Sequence, residues 1–386
     1  MTKHPLILFL IIVNTFLLSG CWDVNEPQRM YYINAIGVDF KDNLYEVYVQ
    51  FINFDDVAKS EQPNPKIVAA EIGYAKGRTV DEAIYKLYNS SDQKIFWGHM
   101  RYMVFSESAL EDERSIPAID TFIRYRDTRY QIWVYCTKEP LNEILLTTPL
   151  LEGSHAVSKL SNPINPTRNE TFILPRDLRD IVIGLNEPSH EINLPYVTIK
   201  KDWSTTEEAT ENTFFSGIAI LSKDGFKGSI EDVSARGFQW THDETKRGEL
   251  TIKLDNEEEY LTVSIDKLKI IVEPILKNEQ QVSFEFHINI NATINGFKSK
   301  VTTDELRKKI KKEMVKEIRE TFKEGLKLDA DLYRLSEVLY RDNVKIWKKL
   351  EVNGKIPLTE DSISKINIHI KKMNPGRKTF AETIKE

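Results

Sequence analysis

Apolar residues along this chain recur in three rhythms, and each predicts a different element. The first is a continuous run: Leu6 to Leu18 is broken only by Asn14 and Thr15. It is too short for a spanning helix, which needs about 20 apolar residues, and suits a signal-peptide core with Lys3 ahead of it. No later stretch approaches that length without a charge. The second rhythm is period two. Tyr32 to Asp39, the polar turn Lys41-Asp42-Asn43 and the alternation of Val47, Val49 and Phe51 predict a hairpin. Val282, Phe284, Phe286, Ile288, Ile290, Ala292 and Ile294 fall on every second position and predict a long strand with one buried face. Its other face, Ser283, Glu285, His287, Asn289, Asn291 and Thr293, is left for water or a partner. The third rhythm is helical. Leu306, Ile310, Met314, Ile318 and Phe322 recur every four residues behind Thr302-Thr303-Asp304-Glu305, a capping-box start.

Weaker signals fill the rest. Strands are predicted at 67–74, 94–105, 130–137 and 194–200, and helices from Thr79, at 116–125 and at 177–185. The proline-bearing stretch 161–176 reads as a loop. Further on, strands are predicted at 215–221, 250–254 and 261–272, the last ended by Pro274. A helix is expected at 233–246. Leu332, Leu335, Leu339 and Ile346 mark a helix or helix pair, and Ile366, Ile368 and Ile370 a closing strand. The order of elements predicts an α+β, multi-domain fold with mixed and antiparallel sheets, each packed with helices. The expected division is a signal peptide at 1–20, an N-terminal α+β region at 21–198, an acidic linker at 199–213, a C-terminal α+β domain at 214–376 and a tail at 377–386. The linker reading rests on Asp202, Glu207, Glu208 and Glu211.

Composition narrows the class. With 386 residues, 41% hydrophobic and 29% charged, the chain can build two or three cores. A net charge of −6 argues against a nucleic-acid partner. Catalytic motifs are missing: no G-x-S-x-G, H-E-x-x-H, C-x-x-C, P-loop or G-x-G-x-x-G occurs. His99, His155, His190, His242, His287 and His369 stand singly, without metal-ligand spacing. No catalytic, metal or cofactor-binding residue is therefore assigned, and no cofactor. Cys136, in the apolar run Trp133-Val134-Tyr135-Cys136-Thr137, reads as a core residue. The basic run Arg307-Lys308-Lys309-Ile310-Lys311-Lys312 shares its helix with Glu305, Glu313, Glu317 and Glu320 and reads as a solvated face.

Leu18-Ser19-Gly20-Cys21 resembles a bacterial lipobox. That resemblance implies cleavage before Cys21 and a diacylglycerol thioether on its sulfur, because a thiolate is the nucleophile that takes the lipid. Further motifs follow in order: Gly20-Cys21-Trp22-Asp23 with Glu26, Ala35-Ile36-Gly37-Val38-Asp39, Val49-Gln50-Phe51, Gly77-Arg78-Thr79 with Ala83, and Gly98-His99. Leu328-Asp329-Ala330-Asp331, Trp347-Lys348 and the closing strand complete the set. Together they resemble the Ger(x)C family, the lipoprotein C subunits of spore germinant receptors. The chain departs from the family in carrying Tyr333, Arg334 and Ser336 where glycines are usual. The resemblance implies a non-enzymatic subunit, anchored by lipid to the outer face of the spore inner membrane. It implies docking with integral membrane subunits of A type and B type, in a complex that triggers germination in response to small nutrients. Whether the nutrient touches this subunit is left open by the sequence. The alternative is an extracytoplasmic solute-binding lipoprotein of a transporter, which would show two parallel-sheet lobes about a hinge; a tethered cell-wall enzyme is a third reading.

Overall fold

The structure is a computed structural model and describes residues 30–52, 70–112, 114–124, 128–169, 172–206, 208–254, 260–278, 281–294, 301–374 and 384–385. The expected signal peptide at 1–20 lies outside the described residues, as does the tail at 377–386 apart from 384–385. β1 (Met30–Lys41) and β2 (Leu44–Ile52) form the expected hairpin. Its turn places Asp42 and Asn43 in the left-handed region, where these residue types are tolerated. β3 (Ala70–Gly77) adds antiparallel to β2, while β4 (Lys94–Phe96) and β5 (Tyr102–Ser106) both run parallel to β1. β6 (Trp133–Thr137) and β7 (Glu191–Ser204) continue in parallel, and β8 (Ala209–Ser222) and β9 (Gly225–Glu231) close as an antiparallel meander. The result is a mixed nine-stranded sheet in the order β3-β2-β1-β5-β6-β7-β8-β9, with β4 beside the start of β1.

Among the described residues, five α-helices flank this sheet: α1 (Val80–Ser90), α2 (Glu107–Glu111), α3 (Ser115–Arg124), α4 (Leu141–Leu146) and α5 (Leu178–Asn186). Thr79 caps α1 through the Glu82 amide, as its sequence predicts. α1, α2, α3 and α5 share one face, where Ile84, Leu110, Phe122 and Ile181 meet Ile36, Met103 and Phe105. α4 lies on the other face, over Ala35, Val104 and Tyr135.

The second sheet contains β10 (Gly248–Lys253), β11 (Tyr260–Asn278) and β12 (Gln281–Ile294) in antiparallel order. A two-residue β13 (Val301–Thr302) then leads into α6 (Thr303–Lys327), α7 (Leu335–Asp342) and α8 (Val344–Leu350). β14 (Ile363–Asn374) pairs in parallel with β12, and β15 (Ile384–Lys385) pairs with β13. Thr302 and Glu305 form the predicted capping box of α6. The four-residue rhythm of α6 packs on the period-two face of β12: Ile310, Met314, Ile318 and Phe322 share a core with Phe284, Phe286, Ile288 and Ile290. That core runs on without a break into Phe215, Ile218, Tyr135 and Tyr102 of the first sheet. The chain is thus α+β with mixed and antiparallel sheets, as expected, and its two halves are fused rather than strung.

Four local expectations are corrected. The stretch 199–213 is not a linker: Lys200 pairs with Asn212 and Trp203 with Thr210 at the tip of the β7–β8 hairpin. Its charges are solvated on a two-stranded ribbon, which composition alone does not separate from a loop. Pro274 does not end β11, which runs on to Asn278. β10 covers β11 only up to Ile265, so beyond that point one side of the strand is open, and an imide nitrogen is tolerated on an open edge. The expected helix at 233–246 is a 3₁₀ segment, Asp232–Thr241. Its Gly237 lies so close to α6 that a Cβ would meet the Glu317 carbonyl oxygen at 2.2 Å. The single strand expected at 94–105 is two, β4 and β5, separated by a turn at Gly98 and His99.

Candidate functional site

Cys21, the predicted lipid-attachment residue, lies outside the described residues. β1 begins at Met30, so the segment carrying Cys21 joins the body where the parallel strands start. Cys136 is fully buried in β6, and burial pushes its thiol well above the ordinary range. That is the inert core cysteine its sequence context suggests. The histidines remain scattered. His155 is buried on Gln50, and burial lowers its pKa. His99 stacks edge-on against Tyr32, and His190 lies against Gly354. His287 approaches Glu273 and Glu285 at 3.6 and 3.8 Å.

The Asp329-Ala330-Asp331 motif forms a joint between the two halves. Both carboxylate oxygens of Asp331 accept α7 amides, from Leu335 and Ser336, each at 2.8 Å. The Ser189 hydroxyl also donates to it at 2.6 Å, from the loop ahead of β7. The Asp331 amide in turn donates to buried Glu191, which also holds Lys227 and Lys355. Lys355 reaches Asp329 as well. Partial burial raises the Asp329 carboxyl, but Lys355 and Lys227 outweigh it, and the net shift is downward. Asn353-Gly354 makes the tight turn bridging Val352 and Lys355, with φ of 54° and 83°, and the Gly354 carbonyl accepts from the Ser189 amide. Ser189, His190, Asp329 and Arg334 all hold left-handed backbone. At Arg334 this explains why glycine suits the position: only glycine adopts such φ without penalty. These groups are engaged with each other, which makes the motif a structural clamp.

The sequence missed the partners of this joint. Glu191, Lys227 and Lys355 carry no local signal, since they meet from three distant segments. The Asn353-Gly354 pair is a local hairpin-turn signal in the sequence.

Beyond buried Ser283, the polar face of β12 is partly exposed from Glu285 to Thr293. Across the sheet it continues into Lys267, Lys269, Ile271 and Glu273 of β11, and into Lys365, Asn367, His369 and Lys372 of β14. Ile271 is 57% exposed, and among the described residues the helix α6 packs on the opposite side, so its basic run and the polar face of β12 point in opposite directions. Elsewhere a cavity of about 570 Å³ opens beside Arg101, Trp133, Asp177 and Arg179, at the starts of the parallel strands. Asp177 there caps α5, and burial raises its pKa.

Two family models match the chain. "Spore germination protein N-terminal domain" matches residues 23–199, and "Spore germination B3/ GerAC like, C-terminal" matches residues 216–374. The chain belongs to the Ger(x)C family of spore germination proteins. The relative "Spore germination protein KC" of Bacillus subtilis (strain 168) is 22% identical over 381 residues, covering 91% of each chain. "Spore germination protein A3" of the same organism is 22% identical over 254 residues, covering 58% of this chain and 65% of its own length. Among solved structures, "Crystal Structure of the GerBC protein" matches with a TM-score of 0.54 at 11% identity, covering 89% of this chain and 97% of that one. At that identity the likeness is one of fold. Covering 89% of this Ger(x)C chain, it extends over both halves.

Proposed function

We propose that this Ger(x)C protein is the lipid-anchored C subunit of a spore germinant receptor, held through Cys21 at the outer face of the spore inner membrane. It acts by docking with integral membrane subunits of A and B type, without catalysis. The observation that carries this reading is the ordered match of both family domains over residues 23–199 and 216–374. Leu18-Ser19-Gly20-Cys21 supports the anchor. The architecture favours docking over solute capture, because the second sheet is largely antiparallel and the halves share one core instead of closing about a hinge. The partly exposed face around Asn289 and Lys269 is our candidate surface for the membrane subunits.

Copurification from detergent-solubilised spores tests the assignment. The chain should recover both integral subunits, and Lys269→Glu with Lys372→Glu should reduce recovery at an unchanged melting temperature. Recovery of neither subunit by the wild-type chain rejects the receptor reading. Cys21→Ala should leave the protein unprocessed or released. Normal processing of that variant, with membrane retention through carbonate washing, rejects the lipid anchor.

A further inference from the structure

We propose that the end of the molecule where the parallel strands begin, together with α8, rests on an anionic lipid bilayer. This rests on the Cys21 anchor proposed above and adds an orientation to it. β1, β5, β6 and β7 are mutually parallel, so Met30 and the loop ahead of Glu191 lie at the same end of the sheet. β1 and β7 are three strand spacings apart, about 14 Å. The nine residues 21–29 can span at most about 30 Å, so a lipid on Cys21 holds this end close to the membrane.

The surface at this end suits that neighbour. Arg101, Arg129 and Arg179 are exposed around the starts of β5, β6 and α5, beside Tyr130, which is 51% exposed. α7 and α8 dock at the same end, because Glu187 pairs with both Arg334 and Arg341, and Ser189 bonds Gly354. α8 has the sequence Val-Lys-Ile-Trp-Lys-Lys-Leu and buries none of its residues fully. Lys345 and Lys348 are exposed, Val344 and Tyr340 are each 40% exposed, and the Trp347 ring packs edge-on against Tyr340. Lysines beside half-exposed aromatic and aliphatic groups are the make-up of an interfacial helix, and tyrosine, here Tyr130 and Tyr340, favours the headgroup level, while Trp347 packs inward. Anionic lipid supplies the opposite charge. Of the carboxylates on α7, Glu337 is tied to Arg334 and Arg341, which leaves Asp342. The hairpin tip bearing Asp202, Glu208 and Glu211, with Lys200 and Lys201, lies at the other end of β7, about 40 Å away along the strand.

The test uses the full chain in proteoliposomes of phosphatidylcholine with phosphatidylglycerol, carrying photoreactive p-benzoylphenylalanine at position 344. Position 311, exposed on α6 and roughly 24 Å along that helix from its Lys327 end, is the control. We expect lipid adducts at 344 at least fivefold above those at 311. They should fall at least fivefold with Lys345→Glu and Lys348→Glu together, or in phosphatidylcholine alone, with melting temperature unchanged. Equal yields at both positions, or no lipid adduct at 344 while the chain floats with the vesicles, overturns the contact but not the anchor. Adducts at 344 to protein instead of lipid also overturn it and assign α8 to a protein partner. Normal processing and retention of Cys21→Ala overturns the anchor alone, and the yield at 344 still decides the contact.

Discussion

At the scale of single residues, Asp331 is a central group of the joint. It is 3% exposed and accepts two helix amides and the Ser189 hydroxyl. Asp331→Ala removes a helix cap and strands buried donors, which should cost roughly 3 kcal/mol in urea unfolding. Asp331→Asn, which keeps one acceptor, should cost less. A loss under about 1 kcal/mol for the alanine variant would mean that water replaces the carboxylate. His242 sets a pH dependence. Its ring lies 4.3 Å from Phe238, its Nε2 is buried, and burial, with Arg176 and Arg334 nearby, depresses its pKa to about 3. An unfolded histidine titrates near about 6.5. The unfolded chain therefore binds a proton that the folded chain refuses, and stability falls as pH drops from about 6.5 toward the folded value. In His242→Leu that acid-side decline should be shallower in melts from pH 7 to 4. An unchanged slope would place the acid sensitivity elsewhere.

Among the elements, the 3₁₀ segment 232–241 is seated closely on α6. The Gly237 amide donates to Thr321 Oγ1, whose own hydroxyl donates to the Ser234 carbonyl. Buried Glu317 accepts from Trp240 and Arg236 at 2.6 and 2.9 Å. Gly237→Ala has no room for its methyl group and should destabilise by about 1–3 kcal/mol, as overpacking does. Gly237→Ser should be no better. If Gly237→Ala melts like the wild type, the 3₁₀ segment is not seated on α6 as described. The elements with the strongest periodicity, α6 and β12, were legible from sequence because their apolar faces are set by local repeat. The 3₁₀ segment was not, since Val233 to Lys246 carries helix-like spacing and only the close approach of α6 tightens it. The β7–β8 tip was missed because its pairing satisfies backbone groups without needing apolar side chains.

For the molecule as a whole, the shared core predicts one cooperative unit. The Glu191–Lys227–Lys355 cluster sits where the halves meet, with Glu191 itself 6% exposed. Removing Glu191 strands the buried Asp331 amide and leaves Lys227 and Lys355 only the exposed Asp329 as partner, so Glu191→Ala should cost about 3 kcal/mol. By calorimetry the wild type should show one transition, and Glu191→Ala should lower its melting temperature without splitting it, because the apolar core still spans both sheets. Two resolved transitions in the wild type would show that the halves unfold independently.

The sequence alone determined the α+β class, the β1–β2 hairpin, the capped starts of α1 and α6, the buried face of β12 and the membership of Ger(x)C. The hairpin, the caps and the buried face rest on residues near one another in the chain, where spacing and capping act locally, and the membership rests on motifs in order along its whole length. Only the tertiary structure decided that Asp329-Ala330-Asp331 is a clamp, that Arg334 sits where glycine would be free of strain, and that α6 turns its lysines away from the polar face of β12. It also brought the start of β1, the loop ahead of β7 and α8 to one end of the molecule. The clamp and the shared end join residues more than a hundred positions apart, and side-chain chemistry at one position carries no record of which distant backbone will meet it.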